Sequence, residues 1–283
     1  MLRDSEEWDL IIQPQSKWYQ LRLKEVSNYK DLLFLFVKRD FVSVYKQTVL
    51  GPLWLIIQPI LTTITFTVIF THVAKIGTNG TPAILFYLSG ITLWTYFSDC
   101  LNKTSNTFVS NANIFGKVYF PRLIIPLSVL FSNLIKLSIQ FLLFLVTWIY
   151  FLFTTDAVHP NIYLLLLPGL IIIMAGLGMG FGIFISALTT KYRDLTFLIG
   201  FGIQLMMYAS PIVYPLDIVP EKYKYLLLLN PVTPVIEAFK FSFIGTGYFN
   251  WFYLLYSFLF MTGLLAVGLI VFNKVEKSFM DTV

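Results

Sequence analysis

The chain is poor in charge, in histidine and in cysteine, and each shortage removes a class of function. Only 12% of its 283 residues are Asp, Glu, Lys or Arg, against 57% apolar. Soluble domains carry roughly 25% charged residues. A water-soluble fold of this length would lack the polar groups to cover itself, so an integral membrane protein is expected. The single cysteine, Cys100, excludes an intrachain disulfide and reads as a small packing residue. The two histidines, His72 and His159, have no third ligand near them in sequence, so no metal site is expected. The G-x-x-x-x-G-K-[ST] phosphate cradle is absent, as are H-E-x-x-H, C-x-x-C and G-x-S-x-G. The chain is therefore not expected to be an enzyme by itself or to hold a cofactor, and nothing in it points to nucleic acid. Energy for any work must come from a partner or an ion gradient. Ion coupling usually needs carboxylates inside the spans. The candidate there is Asp99, with Lys103 placed at i,i+4 to pair with it.

What the chain does have is long apolar runs behind a charged start. Residues 1–28 are polar, with Glu6, Glu7 and Trp8, and read as a cytoplasmic tail; they lack the basic start and apolar core of a cleavable signal. The remainder, 29–283, reads as one membrane domain. Asn28 is placed to cap a helix with Asp31 in its first turn. Leu33, Phe36, Val37, Phe41 and Val44 then recur at helical spacing, with Lys30, Lys38, Arg39 and Lys46 mostly off that stripe. This pattern predicts an amphipathic helix lying in the membrane interface. Gly51-Pro52 turns the corner into the first apolar run.

Six spans are expected, at about 51–73, 83–104, 123–153, 162–189, 195–214 and 251–272. The second grows polar through Ser98, Asp99, Asn102 and Lys103, so it should end in protein or water and not in lipid. With the N-terminus inside, the cytoplasmic segments hold 14 of the 20 Lys and Arg, which supports both termini inside. Segment 215–250 carries Pro215, Pro220, Pro231 and Pro234 between two short apolar pieces. It reads as a re-entrant hairpin, tolerated at membrane depth only within protein or beside water. The fold class is thus all-α integral membrane.

Three internal patterns stand out. Asn133, Lys136 and Gln140 make a polar stripe in the third span, facing either a transport path or subunit interface, or a neighbouring helix. Gly176, Gly178, Gly180 and Gly182 make two overlapping G-x-x-x-G patterns, which permit close helix approach within one subunit or between two. Aromatics make up 18% of residues. Most suit interface belts, but Trp94, Tyr96, Phe97, Tyr208 and Tyr214 adjoin polar or proline-broken segments and suit contact with sugar rings.

Several segments taken together resemble the permease subunits of ATP-binding-cassette exporters for bacterial surface polysaccharides: O-antigen, capsule and wall teichoic acid. They are Arg39-Asp40 through Tyr45-Lys46-Gln47-Thr48-Val49-Leu50-Gly51-Pro52-Leu53-Trp54 to Gln58-Pro59; Lys117-Val118-Tyr119-Phe120-Pro121-Arg122; Tyr192-Arg193-Asp194; Ser210-Pro211-Ile212-Val213-Tyr214-Pro215 and Leu229-Asn230-Pro231-Val232-Thr233-Pro234; and the tail from Lys274 to Asp281. The likeness runs from about residue 30 to the end.

The resemblance implies a homodimer in the bacterial inner membrane, paired with two separate ATPase subunits that hold ATP and Mg. It implies that a short helix of Asn113, Ile114, Phe115, Gly116, Lys117, Val118 and Tyr119 couples to the ATPase, that the first helix is an interface helix, and that 216–245 forms outer gate helices. The implied substrate is a polysaccharide on an undecaprenyl diphosphate carrier. Lys38, Arg39, Lys46, Lys117 and Arg122 would attract its head group; the same charges also suit anionic lipid. Two other readings stand beside this one. A permease of the same architecture could export a drug or lipid, and a membrane-embedded glycosyl or acyl transferase would need clustered carboxylates or histidines at one face.

Overall fold

The computed structural model describes residues 23–46, 48–118, 120–190, 192 and 194–279. Among these the chain is helical, with no strand. The tail at 1–22 lies outside the described residues.

The chain begins at one end of a helix bundle, here called the near face. Helix α1 (Leu23–Asn28) is followed by α2 (Lys30–Tyr45). Tyr29, with φ −101° and ψ 26°, separates the two and leaves α2 without a side-chain cap, so Asn28 closes α1 instead of capping α2. Phe36 is buried and Leu33 and Val37 half-buried, because this stripe packs on the third span. Phe34, Leu35 and Val42 are exposed.

Gly51 takes φ +53°, which glycine adopts without steric cost, and Pro52 supplies the fixed φ of a helix start. The first span then runs through α3 (Trp54–Phe66) and a wider π turn (Thr67–Val73), 23 residues in all with the Gly51–Leu53 turn. It crosses to the opposite, far face. The return is α4 (Ala83–Ser105), followed by α5 (Thr107–Phe115) along the near face. The third span, α6 (Ile124–Thr154), and the fourth, Ile162–Thr189 with α7 (Leu167–Thr189), make the next hairpin.

α4 is the centre of the bundle, packed by α3, α6, α7 and others. Helices in lipid associate by close packing, since acyl chains already solvate apolar side chains. The glycines of α7 supply that closeness on two sides. A methyl at Gly178 would lie 2.9 Å from the Phe97 carbonyl oxygen, and one at Gly182 would lie 3.1 Å from that of Leu101, both on α4. Gly176 and Gly180 instead face Met261 and Leu264 of the last helix, α11 (Trp251–Phe279). Each overlapping G-x-x-x-G pattern thus serves a different neighbour within the same chain.

The fifth span departs from expectation. Helix α8 (Leu195–Tyr208) has 14 residues, or about 21 Å at 1.5 Å per residue, short of a hydrocarbon core of roughly 30 Å. Pro211 cannot donate to a helix ladder and biases Ser210 away from helical angles, so the chain breaks. Ser210, Pro211, Ile212, Val213 and Pro215 follow as a buried, irregular segment, with Ile212 wedged against Gly90 of α4.

The proline-broken segment folds at the far face as two short helices. After the turn Leu216–Ile218, α9 (Glu221–Leu228) and α10 (Thr233–Ile244) meet at 102°. α9 is mostly exposed, whereas Thr233 to Lys240 are all buried. A buried helix end needs partners for its last carbonyls. All four have them: Phe241 O accepts from Asn161 Nδ2 at 2.8 Å and Ser242 O from Asn161 N at 3.2 Å, while Phe243 O accepts from Trp148 Nε1 at 2.7 Å and Ile244 O from His159 N at 2.8 Å.

Candidate functional site

Three groups of chemistry-bearing residues lie along the bundle: one on the near face, one within the spans, one at the far mouth. On the near face, Phe36, Phe108, Phe115, Phe120 and Phe272 share an apolar cluster. Phe36 and Phe115 stand 5.6 and 5.8 Å from the Phe120 ring. Two of the five basic residues singled out above are built into this cluster. Arg122 is only 8% exposed, its guanidinium 5.2 Å from the Phe115 ring. Arg39 lies 4.5 Å from the Phe36 ring and pairs with Asp40 at 2.7 Å, and Asp40 also accepts from Ser128 of α6. Lys38, Lys46 and Lys117 are exposed. The five therefore divide into two packing arginines and three outward lysines.

The expected coupling helix at 113–119 has a different build. It is the last turn of α5, which starts at Thr107 and kinks at Asn111 (φ −117°), where Asn111 Nδ2 donates to Thr107 O at 2.9 Å. Gly116, Lys117 and Val118 form a turn beyond the helix end. Phe115 points into the cluster, while Asn113, Gly116, Lys117 and Val118 are exposed and Ile114 is half-buried. Tyr119, Arg193 and the last four residues lie outside the described residues, with Tyr192 exposed beside α8.

Within the spans, α4 and α6 are joined by a polar ladder. Lys136 Nζ donates to Asp99 Oδ2 at 2.7 Å and Lys103 Nζ to Asn133 Oδ1 at 2.9 Å. Asn133 also contacts Cys100 Sγ at 3.7 Å. Asp99 therefore pairs across the helix contact, not with Lys103 on its own helix. Gln140, one turn beyond Lys136, is buried against the same seam. The stripe of α6 meets α4, and the Asp99–Lys136 pair stays 27% and 19% exposed respectively.

At the far mouth, α10 holds an ion pair that sequence reasoning missed. Glu237 and Lys240 are 2% and 1% exposed and 3.7 Å apart. Lys240 Nζ also donates to the Pro211 carbonyl and stands 3.7 Å from the centroid of the Phe86 ring. Glu237 Oε2 accepts from Tyr248 N at 2.8 Å. A narrow cleft lined by Asn79, Phe86, Asp217, Glu237, Lys240 and Thr246 reaches this pair. Lys240 is thus a charge enclosed by the bundle, and Asp99 is not the sole carboxylate inside it. The signal was there: Glu and Lys at i,i+3 within an otherwise apolar helix that opens on Thr233-Pro234.

The aromatic set does not come together as one surface. Trp94, Tyr96 and Phe97 are buried in the core around α4, with Trp94 and Phe97 rings 5.3 Å apart. Tyr208 is exposed, and half-buried Tyr214 donates to its carbonyl at 3.0 Å.

Residues 31–244 match the family described as ABC-2 type transporter. The chain belongs to this family. An O-antigen export system permease protein of Klebsiella pneumoniae is 32% identical over 253 residues, 89% of this chain and 94% of that protein. A Myxococcus xanthus protein of the same description is 24% identical over 77% of this chain and 82% of its own length. A polysialic acid transport protein of Escherichia coli is 24% identical over 73% and 78%.

The matched region of this ABC-2 type transporter chain opens in α2 and closes at Ile244, the last residue of α10. Apart from Phe272, Thr246 and Tyr248, the residues of the three groups fall inside it; α11, which packs on the outer glycines of α7, falls outside. The family and the apolar helices together make the chain a multi-pass membrane protein that acts as a transporter's membrane component.

Proposed function

We propose that the chain is the membrane-spanning subunit of an ATP-driven exporter that moves an undecaprenyl-diphosphate-linked polysaccharide from the cytoplasm across the bacterial inner membrane. The observation that carries this reading is the likeness, along 89% of the chain, to an O-antigen export permease. Two copies of the chain and two copies of a separate ATPase form the transporter, and ATP and Mg bind on the ATPase. The near face is cytoplasmic, as are both termini, in accord with the Lys and Arg distribution.

The exposed tip of Asn113, Gly116, Lys117 and Val118 is the surface offered to the ATPase. It combines a small apolar contact with one charge and sits on a helix anchored through Phe115. Lys38, Lys46 and Lys117 attract the carrier diphosphate at the inner leaflet. Arg39 and Arg122 contribute by holding the platform that presents them.

Two experiments on one strain test the reading. The purified chain should bring down an ATP-binding-cassette ATPase, and deletion of the chain should abolish the surface polysaccharide. Normal surface glycan in the deletion strain would overturn it.

A further inference from the structure

Two prolines four residues apart create a carbonyl that no helix can satisfy. A helical Pro211 carbonyl would accept from the N–H of residue 215, and Pro215 has none. At membrane depth such a group needs a donor from elsewhere. Lys240 Nζ of α10 supplies it. The same ammonium stands 3.7 Å from Glu237 Oε1. Glu237 Oε2 is taken by Tyr248 N, whereas the buried Oε1 has no hydrogen-bond donor among the described residues. A buried acceptor without a donor is costly and calls for an explanation. Here the donor that would satisfy it is adjacent and is bonded to Pro211 instead.

The two acceptors differ in what carries them. Glu237 is on α10, one turn from Lys240, and travels with it. Pro211 is on the segment that follows α8. α10 is fixed to the frame, since its last four carbonyls are bonded to Trp148 and to the turn that holds His159 and Asn161. α8 is loosely held, and its one buried residue is Ile199. Its segment is tied across to α10 by Lys240 and to the α9–α10 elbow by Asn230, whose Nδ2 donates to Ser210 Oγ at 2.9 Å. Ile212 then seats against Gly90 of α4.

We propose that Lys240 is a two-position latch on the far end of the bundle. In this conformation it bonds the Pro211 carbonyl and holds 210–215 against α4. When that segment leaves α4, Nζ moves onto Glu237 Oε1. The buried charge is never stranded, and the vacant carboxylate oxygen gains its donor. The freed carbonyl meets water through the cleft lined by Asn79, Pro215, Asp217 and Thr246. The moving piece is therefore the segment carried by α8, while α10 stays in place. The latch is a property of this chain; its release during transport rests on the export reading above.

Thiol accessibility tests both statements. Cys100 is replaced by Ser, and Ile212→Cys is compared with Val235→Cys, two positions that are fully buried on either side of the latch. The purified chain in lipid nanodiscs, without any ATPase, is treated with a charged methanethiosulfonate, which reacts where water reaches the thiol. Removing the latch with Glu237→Gln and Lys240→Met together should speed labelling at 212 about tenfold and leave 235 unchanged. No gain at 212, or an equal gain at 235, would overturn the latch, the second by showing that the pair only stabilises the far end as a whole. In the assembled transporter with native Glu237 and Lys240, ATP should speed labelling at 212 and not at 235. An ATP-independent rate at 212 in a complex that exports normally would overturn release of the latch during transport. The nanodisc result needs no ATPase or substrate, so failure of the export reading leaves it standing.

Discussion

Lys136 of α6 and Asp99 of α4 meet at 2.7 Å inside the bundle, although Lys103 lies one helical turn from Asp99 on its own helix. A same-helix pair would steady α4 alone, by about 0.2–0.5 kcal/mol. The cross-helix pair ties two spans in register. Replacing Asp99 with Asn leaves the Lys136 charge without its partner, and the expected loss is roughly 2 kcal/mol, between the limits for surface and buried pairs. The double variant Asp99→Asn with Lys136→Gln should recover most of that loss. Melting of the purified protein in detergent reads both. Equal melting of the single and double variants would show that the pair does not couple the helices.

The Glu237–Lys240 pair should be less forgiving, since both side chains are buried. Lys240→Met strands the Glu237 carboxylate and removes the donor to the Pro211 carbonyl. The expected loss is about 3–5 kcal/mol. Adding Glu237→Gln removes the stranded charge and should restore most of the melting temperature. If Lys240→Met melts like the parent, the pair does not hold α10 in place.

The glycines should respond according to what they face. Gly182→Ala puts a methyl group against Thr104 and the Leu101 carbonyl, and overpacking of this kind costs about 1–3 kcal/mol. Gly200, in α8, has open space around it. Gly200→Ala should be neutral or gain up to about 1 kcal/mol from helix propensity. A shared response at both positions, read by thermal unfolding in detergent, would contradict the assigned contacts.

Much of the architecture was legible because it follows from local chemistry. Apolar runs long enough to cross a bilayer have few alternatives once every backbone group must be satisfied without water. Expected spans at 51–73 and 162–189 agree with helices at Gly51–Val73 and Ile162–Thr189. Pro231 and Pro234 likewise announced the broken hairpin of α9 and α10. The fifth span failed because its apolar composition continues to Tyr214 while its helix stops at Tyr208. Composition does not register that Pro211 ends the ladder.

The sequence by itself determined the membrane class, the order of helices, the near-face basic residues and the absence of an ATP-binding signature. These depend on side-chain identity and on spacing along one chain. Tertiary structure alone decided which of those residues meet. It turned Asp99 from Lys103 to Lys136, and it made packing pieces of Arg39 and Arg122. It sent alternate glycines of α7 to different neighbours and enclosed Lys240 with Glu237. The physical reason is common to all four. A side chain's partner is chosen by which helix lies across from it, and i,i+3 or i,i+4 spacing reports only which residues share a face.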